Sequence, residues 1–383
     1  MKMPYHKEIT FRSDGHLRIM QIADTQELPT MNPDTLKLIR LAVQNAKPDL
    51  VVFTGDQIYG LIPTFKGNTE KKVHKIFKAI TAPMEELGIP FIVAFGNHDN
   101  QCGISNARQM QIYMESPVCA GGSYTDNETG LFSLPIKGTD GTIKFNIYLF
   151  DSNGEAEAGA YKAIGQDQLQ AYKDTRDDLK EKTGAYVPSL VFQHIPPWEV
   201  VNTIVRVPKG TKGAVEAFHA FKDQYFVLPP EAIAKGEFMG ESPAVPKTQS
   251  GQFDILAEKG DVFGIYFGHD HINSFVLPYK GIDLGYTQGS GFNVYGPGRK
   301  RGVRIFDIPQ DNPRNYTNYT LTFGELTNDQ FHNPLFELIQ PIMPTSVMQV
   351  KKLIKPVAIG GAVTLTAAAA TAAACTFLSK RNK

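Results

Sequence analysis

Short apolar runs alternate with stretches of helical spacing over the first three hundred residues. Residues 19–23 form the first run. Residues 33–46 then place Leu36, Ile39 and Val43 on one helical face, with Pro33 suited to a first turn. Runs at 50–54, 91–95, 145–150, 190–193 and 262–267 read as strands. Residues 72–87 and 166–181 read as helices, the former interrupted or restarted at Pro83. Strands alternating with helices predict an α/β fold around a buried sheet. In such folds the functional residues gather beyond the carboxyl ends of the strands. The segment 201–251 is rich in Gly and Pro and poorly periodic, which suggests a long insertion facing the substrate. Beyond about residue 328 regular pattern fades, and 327–350 reads as a linker.

Nearly every strand run ends in a polar cluster: Asp24; Gly55-Asp56; Gly96-Asn97-His98-Asp99; Asp151; His194; Gly268-His269-Asp270-His271. Singly, each has a plain explanation. Asp56 after a glycine suits a turn, Asn97 could cap a helix, and His194 could be a core histidine. Jointly they supply enough oxygen and nitrogen donors for two ions in one cleft. Carboxylate, amide and imidazole suit Fe, Mn or Zn rather than Cu(I). A carboxylate bridging two ions about 3.5–4 Å apart is a common device for in-line attack on phosphorus.

The set Ala23-Asp24, Thr54-Gly55-Asp56, Phe95-Gly96-Asn97-His98-Asp99, Phe192-Gln193-His194 and Phe267-Gly268-His269-Asp270-His271 resembles the calcineurin-like metallophosphoesterases. With the later stretch 289–296, it is similar to their compact eukaryotic branch, which includes plant purple-acid-phosphatase-like proteins. The resemblance runs in order over residues 8–310. It implies a four-layer α/β/β/α sandwich of two mixed sheets with the ions at its edge. Asp56 would bridge both ions. Asn97, His194 and His269 would complete the second site, and Asp24 and His271 would belong to the first. His98 would bind no metal; it would sit over the substrate, touch a phosphoryl oxygen and help the leaving oxygen depart. Asp99 and Asp270 would orient His98 and the loop of His269.

One position departs from the family pattern. Most members place a histidine two residues after the first Asp, where this chain has Gln26. In true purple acid phosphatases, which also lack that histidine, a tyrosine three residues past the bridging Asp gives ferric iron a phenolate. Tyr59 has that spacing, and a bound Fe(III) would lower its pKa enough to ionise it. Tyr59 is therefore the expected replacement ligand, the alternative being a loop aromatic that packs. The cofactors implied are two metal ions, Fe with Zn or Mn.

Composition narrows the partners. With 39 basic and 39 acidic residues the net charge is zero, which gives no electrostatic case for nucleic acid. Cys102, Cys119 and Cys375 predict no disulfide framework and fit a reducing compartment, and the first residues lack the apolar core of a secretory signal. Residues 357–378 carry no charge and are flanked by Lys351, Lys352 and Lys355 before and Lys380, Arg381 and Lys383 after. That length can span a bilayer; the alternative is an Ala-rich helix packed on protein. The organisation expected is a catalytic domain over 1–326, the linker 327–350 and a tail 351–383 anchoring the domain to an intracellular membrane, cytosol-facing. The expected activity is hydrolysis of phosphate monoesters, small or on protein, by a metal-bound hydroxide. The alternatives are a phosphodiesterase or nucleotide hydrolase on the same site, and a membrane-tethered scaffold whose first site has died.

Overall fold

A computed structural model describes residues 8–340 apart from 158, 159 and 218. Two sheets lie face to face. The first has six strands in the order Thr317–Thr322, Gly302–Pro309, His16–Ile22, Leu50–Thr54, Phe91–Ala94, Cys119–Gly122. His16–Ile22, Leu50–Thr54, Phe91–Ala94 and Cys119–Gly122 run parallel; Gly302–Pro309 and Thr317–Thr322 close the sheet antiparallel. The second sheet has eight strands, with Ile143–Phe150, Ser189–Phe192, Val262–Phe267 and Ile282–Tyr286 parallel at its centre.

The apolar runs have no polar alternation because both strand faces are covered. Leu17, Ile19, Leu50 and Val52 point between the sheets and meet Phe132, Phe145, Ile147 and Phe192. Met20, Ile22, Val51 and Phe53, one residue out of phase, meet Ile39 and Val43 of the helix Pro33–Ala46 and Ile76 and Phe77 of the helix Thr69–Leu87. On the far side, Tyr148, Val191, Ile265 and Phe267 pack on Leu169 and Tyr172 of the helix Gln166–Thr183. Period-two side-chain direction thus divides one apolar run between two cores, and the four-layer sandwich expected from the sequence is the fold observed.

The helix Thr69–Leu87 runs unbroken through Pro83, where an interruption or a restart was expected. Proline at this place deprives only the carbonyl of Ala79 of a helical partner, close to the end at Gly88, whose φ of 67° terminates the helix. Order also continues into the stretch read as a linker. Phe331 stacks on Phe323, a short helix spans Pro334–Ile339, and the Gln340 side chain accepts from the buried Arg301 guanidinium. The insertion is ordered too: it contains a small antiparallel sheet of Val205–Val207, Tyr225–Val227 and Val215–Glu216. No helix among the described residues is long and apolar enough to cross a membrane. The candidate span 357–378 lies outside the described residues.

Candidate metal centre

The parallel strands of both sheets end at one edge, and the residues just past their carboxyl ends converge there. Asp24 follows His16–Ile22, Asp56 follows Leu50–Thr54, Asn97 follows Phe91–Ala94, His194 follows Ser189–Phe192, and His269 follows Val262–Phe267. Asp24, Asp56 and His269 have φ of 52°, 51° and 75°. This left-handed backbone costs an L-residue roughly 1 kcal/mol, and it turns each side chain off its strand into the cleft. Neighbouring glycines make room. A Cβ on Gly96 would meet the Asp56 carboxylate, and one on Gly268 the Asp24 carboxylate.

One group of donors is close-knit. His194 Nε2 is 3.3 Å from Asp56 Oδ2, 3.2 Å from Asn97 Oδ1 and 3.2 Å from His269 Nδ1. Ligand atoms of Asp56, His194 and His269 all lie within 4.8 Å of one another, and all three residues are buried. His194 Nδ1 is 2.9 Å from the Thr54 carbonyl; donation there leaves Nε2 to face the cleft. The set fits a cation: an anionic oxygen, an amide oxygen and two imidazole nitrogens meet at one point away from water. The carboxylates favour positive charge at this point, carried by a proton on His194 that a bound cation would displace. Burial would pull the His194 pKa down, but the Asp56 and Asp24 carboxylates outweigh it and hold it up at about 10. Burial and the neighbouring His194 push His269 down, which keeps its ring neutral, the form that binds metal.

The second group lies on the other side of Asp56. His271 Nε2 is 3.5 Å from Asp24 Oδ1 and 3.2 Å from the Gln26 amide, whose Nε2 is in turn 3.0 Å from Asp56 Oδ2. The His269 backbone N–H donates to Asp24 Oδ2 at 3.0 Å, tying the two sheets together at the site. Tyr59 is half-buried beside His98. Its ring meets that of His98 edge-on at 4.8 Å, and its hydroxyl makes no hydrogen bond among the described residues. Burial, then the charges of Asp56 and Glu155, raise its pKa.

His98 is half-buried beside the cleft, its side chain 21% exposed. Its backbone N–H donates to Asp56 Oδ1 at 2.8 Å, its Nδ1 is 2.6 Å from Gln101 Oε1, and its Nε2 is 3.9 Å from Asp56 Oδ2. Asp99 does a different job from orienting His98. Its carboxylate accepts the backbone N–H of Gly96, Asp56 and Ile58, which locks two strand-end loops together. Asp270 accepts from Ala244 N and from Tyr286 OH.

Sequence reasoning missed several contributors. Gln101 holds His98. Ser152 Oγ accepts the His194 and Ile195 N–H groups at 3.0 Å. Tyr161, on the hairpin of Glu155–Glu157 with Ala160–Tyr161, sets its ring edge-on to His269 at 4.4 Å. Tyr295 stacks on His271 at 4.4 Å and 17°, its carbonyl is 3.1 Å from His271 Nδ1, and its hydroxyl donates to Glu241. Glu241 belongs to the insertion, and burial pushes its pKa up to about 7. The Gly-rich run around Tyr295 was the one legible signal; nothing marked Glu241 or Tyr161.

A sheet-edge cluster of this composition defines a metal-dependent phosphoesterase class. The chain belongs to the calcineurin-like phosphoesterase family, whose model matches residues 17–284. It is 27% identical over 341 residues to "Probable inactive purple acid phosphatase 14" of Arabidopsis thaliana, covering 79% of this chain and 77% of that one. It is 25% identical to "Phosphatase DCR2" of Saccharomyces cerevisiae, covering 77% of this chain and 52% of that one. Among solved structures, a dimetal phosphatase from Danio rerio aligns with a TM-score of 0.46 at 13% identity, over 80% of this chain and 99% of that one.

Proposed function

We propose that this protein hydrolyses phosphate monoesters, with cations held between Asp24, Asp56, Asn97, His194, His269 and His271. The observation that carries the reading is the convergence of Asp56, Asn97, His194 and His269 donors on one buried point, with His98 above it. When bound, the ions supply Lewis acidity and a nucleophile at neutral pH. The chain's own residues do the rest. Asp56 reaches both halves of the cleft. Asp24, through the His269 amide, fixes the second sheet's loop against the first. His98, as the imidazolium, donates Nδ1–H to Gln101 and holds its second proton on Nε2 toward the cleft, where it stabilises the leaving oxygen and passes that proton to it. Iron with zinc or manganese is the pair we propose, from the mixed donor set.

The test is release of phosphate from an aryl phosphate by the full chain, with and without added Mn, Zn or Fe. Metal-dependent turnover that falls about 10²–10³-fold in His98→Ala is expected. A chain that binds metal and phosphate but never turns over would instead support a binding scaffold, a reading favoured by the word "inactive" in the names of the plant relatives.

We propose attachment to an intracellular membrane, with the catalytic part in the cytosol and phosphorylated small molecules or proteins as partners; the charge-free run 357–378 between basic flanks supports the attachment. Full-length protein that stays with membranes through alkaline carbonate washing is the expected result. Recovery in the wash would refute attachment by a spanning helix.

A further inference from the structure

We infer that Gln26 is itself a metal ligand, its side-chain carbonyl completing the cage of Asp24, Asp56 and His271. The inference rests on the metal-hydrolase reading and names a residue of the same site.

Spacing makes the case. Donors bound about 2.1 Å from one ion at right angles to each other stand about 3 Å apart. In the Asp56–Asn97–His194–His269 group the neighbouring donors are 3.2–3.3 Å apart. On the other side, the end of the Gln26 side chain is 3.0 Å from Asp56 Oδ2 and 3.2 Å from His271 Nε2, and His271 Nε2 is 3.5 Å from Asp24 Oδ1. These edges, 3.0–3.5 Å, bracket those of the first group, so the Gln26 amide stands among the donors of a second cage rather than beside it.

The two ends of a carboxamide are nearly the same size, so a half-turn about its last bond exchanges nitrogen and oxygen without moving anything else. Between a carboxylate and an imidazole alone, the NH₂ end faces in. With a cation between them, the carbonyl faces in. Asn97 presents the same kind of oxygen, 3.2 Å from His194 Nε2, in the neighbouring group.

The backbone holds Gln26 to this task. Its φ is 38°, its N–H donates to the Asp56 carbonyl at 2.8 Å, and only 2% of the residue is exposed. A left-handed glutamine is disfavoured unless its surroundings over-determine it. Here that conformation aims a buried amide at Asp56 and His271. Tyr59, the other candidate, lies against His98 and bonds none of the three.

The experiment is elemental analysis of the full chain after saturation with Mn, Zn or Fe and removal of excess, alongside the visible spectrum of the iron form. Two ions per chain are expected in the wild type, one in Gln26→Ala, two in Gln26→His and two in Tyr59→Phe. Gln26→Met keeps the volume and removes the oxygen donor, so it too should hold one ion if Gln26→Ala fails to fold. Two ions in both Gln26→Ala and Gln26→Met would overturn the inference. So would loss of an ion, with its absorption band, in Tyr59→Phe. A wild type holding one ion would mean that the amide faces in through nitrogen, and would overturn the inference while leaving a metal site in place. A wild type holding none would overturn the hydrolase reading as well.

Discussion

The two sides of the cleft share Asp56 and differ in how they are built. On one side Asn97, His194 and His269 stand directly at strand ends, and backbone fixes them: the Thr54 carbonyl holds His194 and the Asp24–His269 bond holds the loop. On the other side His271 is fixed by a relay of side chains. Tyr295 stacks on it, Glu241 accepts from Tyr295, and the Ile272 N–H donates to Glu241. Gln26 replaces the family's imidazole. The first side inherits its geometry from the sheets. The second depends on loops from three distant parts of the chain, so it is the side where substitution can tune metal affinity without disturbing the fold.

The sharpest way to break the comparison is to attack the side anchored by the sheets. His194→Ala removes the ring that touches all three other donors. Hydrolysis of an aryl phosphate should fall on the order of 10³-fold, well beyond the loss from an outer partner, with at least one ion lost. A fall of less than tenfold would remove this side from the chemistry. His98→Ala should cost about 10²–10³-fold in turnover, the scale of a general acid, and leave metal content unchanged. Loss of metal in that variant would make His98 a ligand.

Smaller effects are expected on the relay side. Tyr295→Leu removes the stack on His271 and the hydroxyl that reaches Glu241, while the backbone carbonyl remains. The ion beside His271 should be held about 10–100-fold more weakly, and titration with a competing chelator reads this directly. Equal weakening of both ions would show that the two sides are not separable.

The smallest effect concerns stability. Glu27 lies beneath the relay side, and its Oε2 accepts from Asn32 N and Asn293 Nδ2. Burial raises its pKa to about 7 from an ordinary 4.5. The fold therefore favours the protonated acid, and stability is lost as pH rises from about 4.5 to about 7. Glu27→Gln stays neutral, so it should match the wild type near pH 4 and exceed it at pH 8 by up to roughly 3 kcal/mol. Denaturant unfolding at the two pH values checks this. An unchanged difference would mean that Glu27 is ionised in the fold without cost.

Much of this was legible because parallel strands write their own signature. A run apolar on both faces must be buried twice, so 50–54 and 262–267 could only be central strands, and the polar residue that follows each had to lie at the sheet edge. Asp24, Asp56, Asn97, His194, His269 and His271 meet there as their positions required. What the sequence did not disclose is contact between side chains on unrelated loops. Pro83 suggested a break in a helix that tertiary packing carries through. The insertion 201–251 gave no period from which to find Glu241, and no local rule ties Tyr161 to His269 or Arg301 to Gln340. Above all, the sequence set Gln26 and Tyr59 side by side as the departure and its remedy. Only the folded chain decides which of them stands between Asp56 and His271, because that depends on where a left-handed turn after the strand His16–Ile22 points a side chain, and spacing along a chain carries no information about that direction.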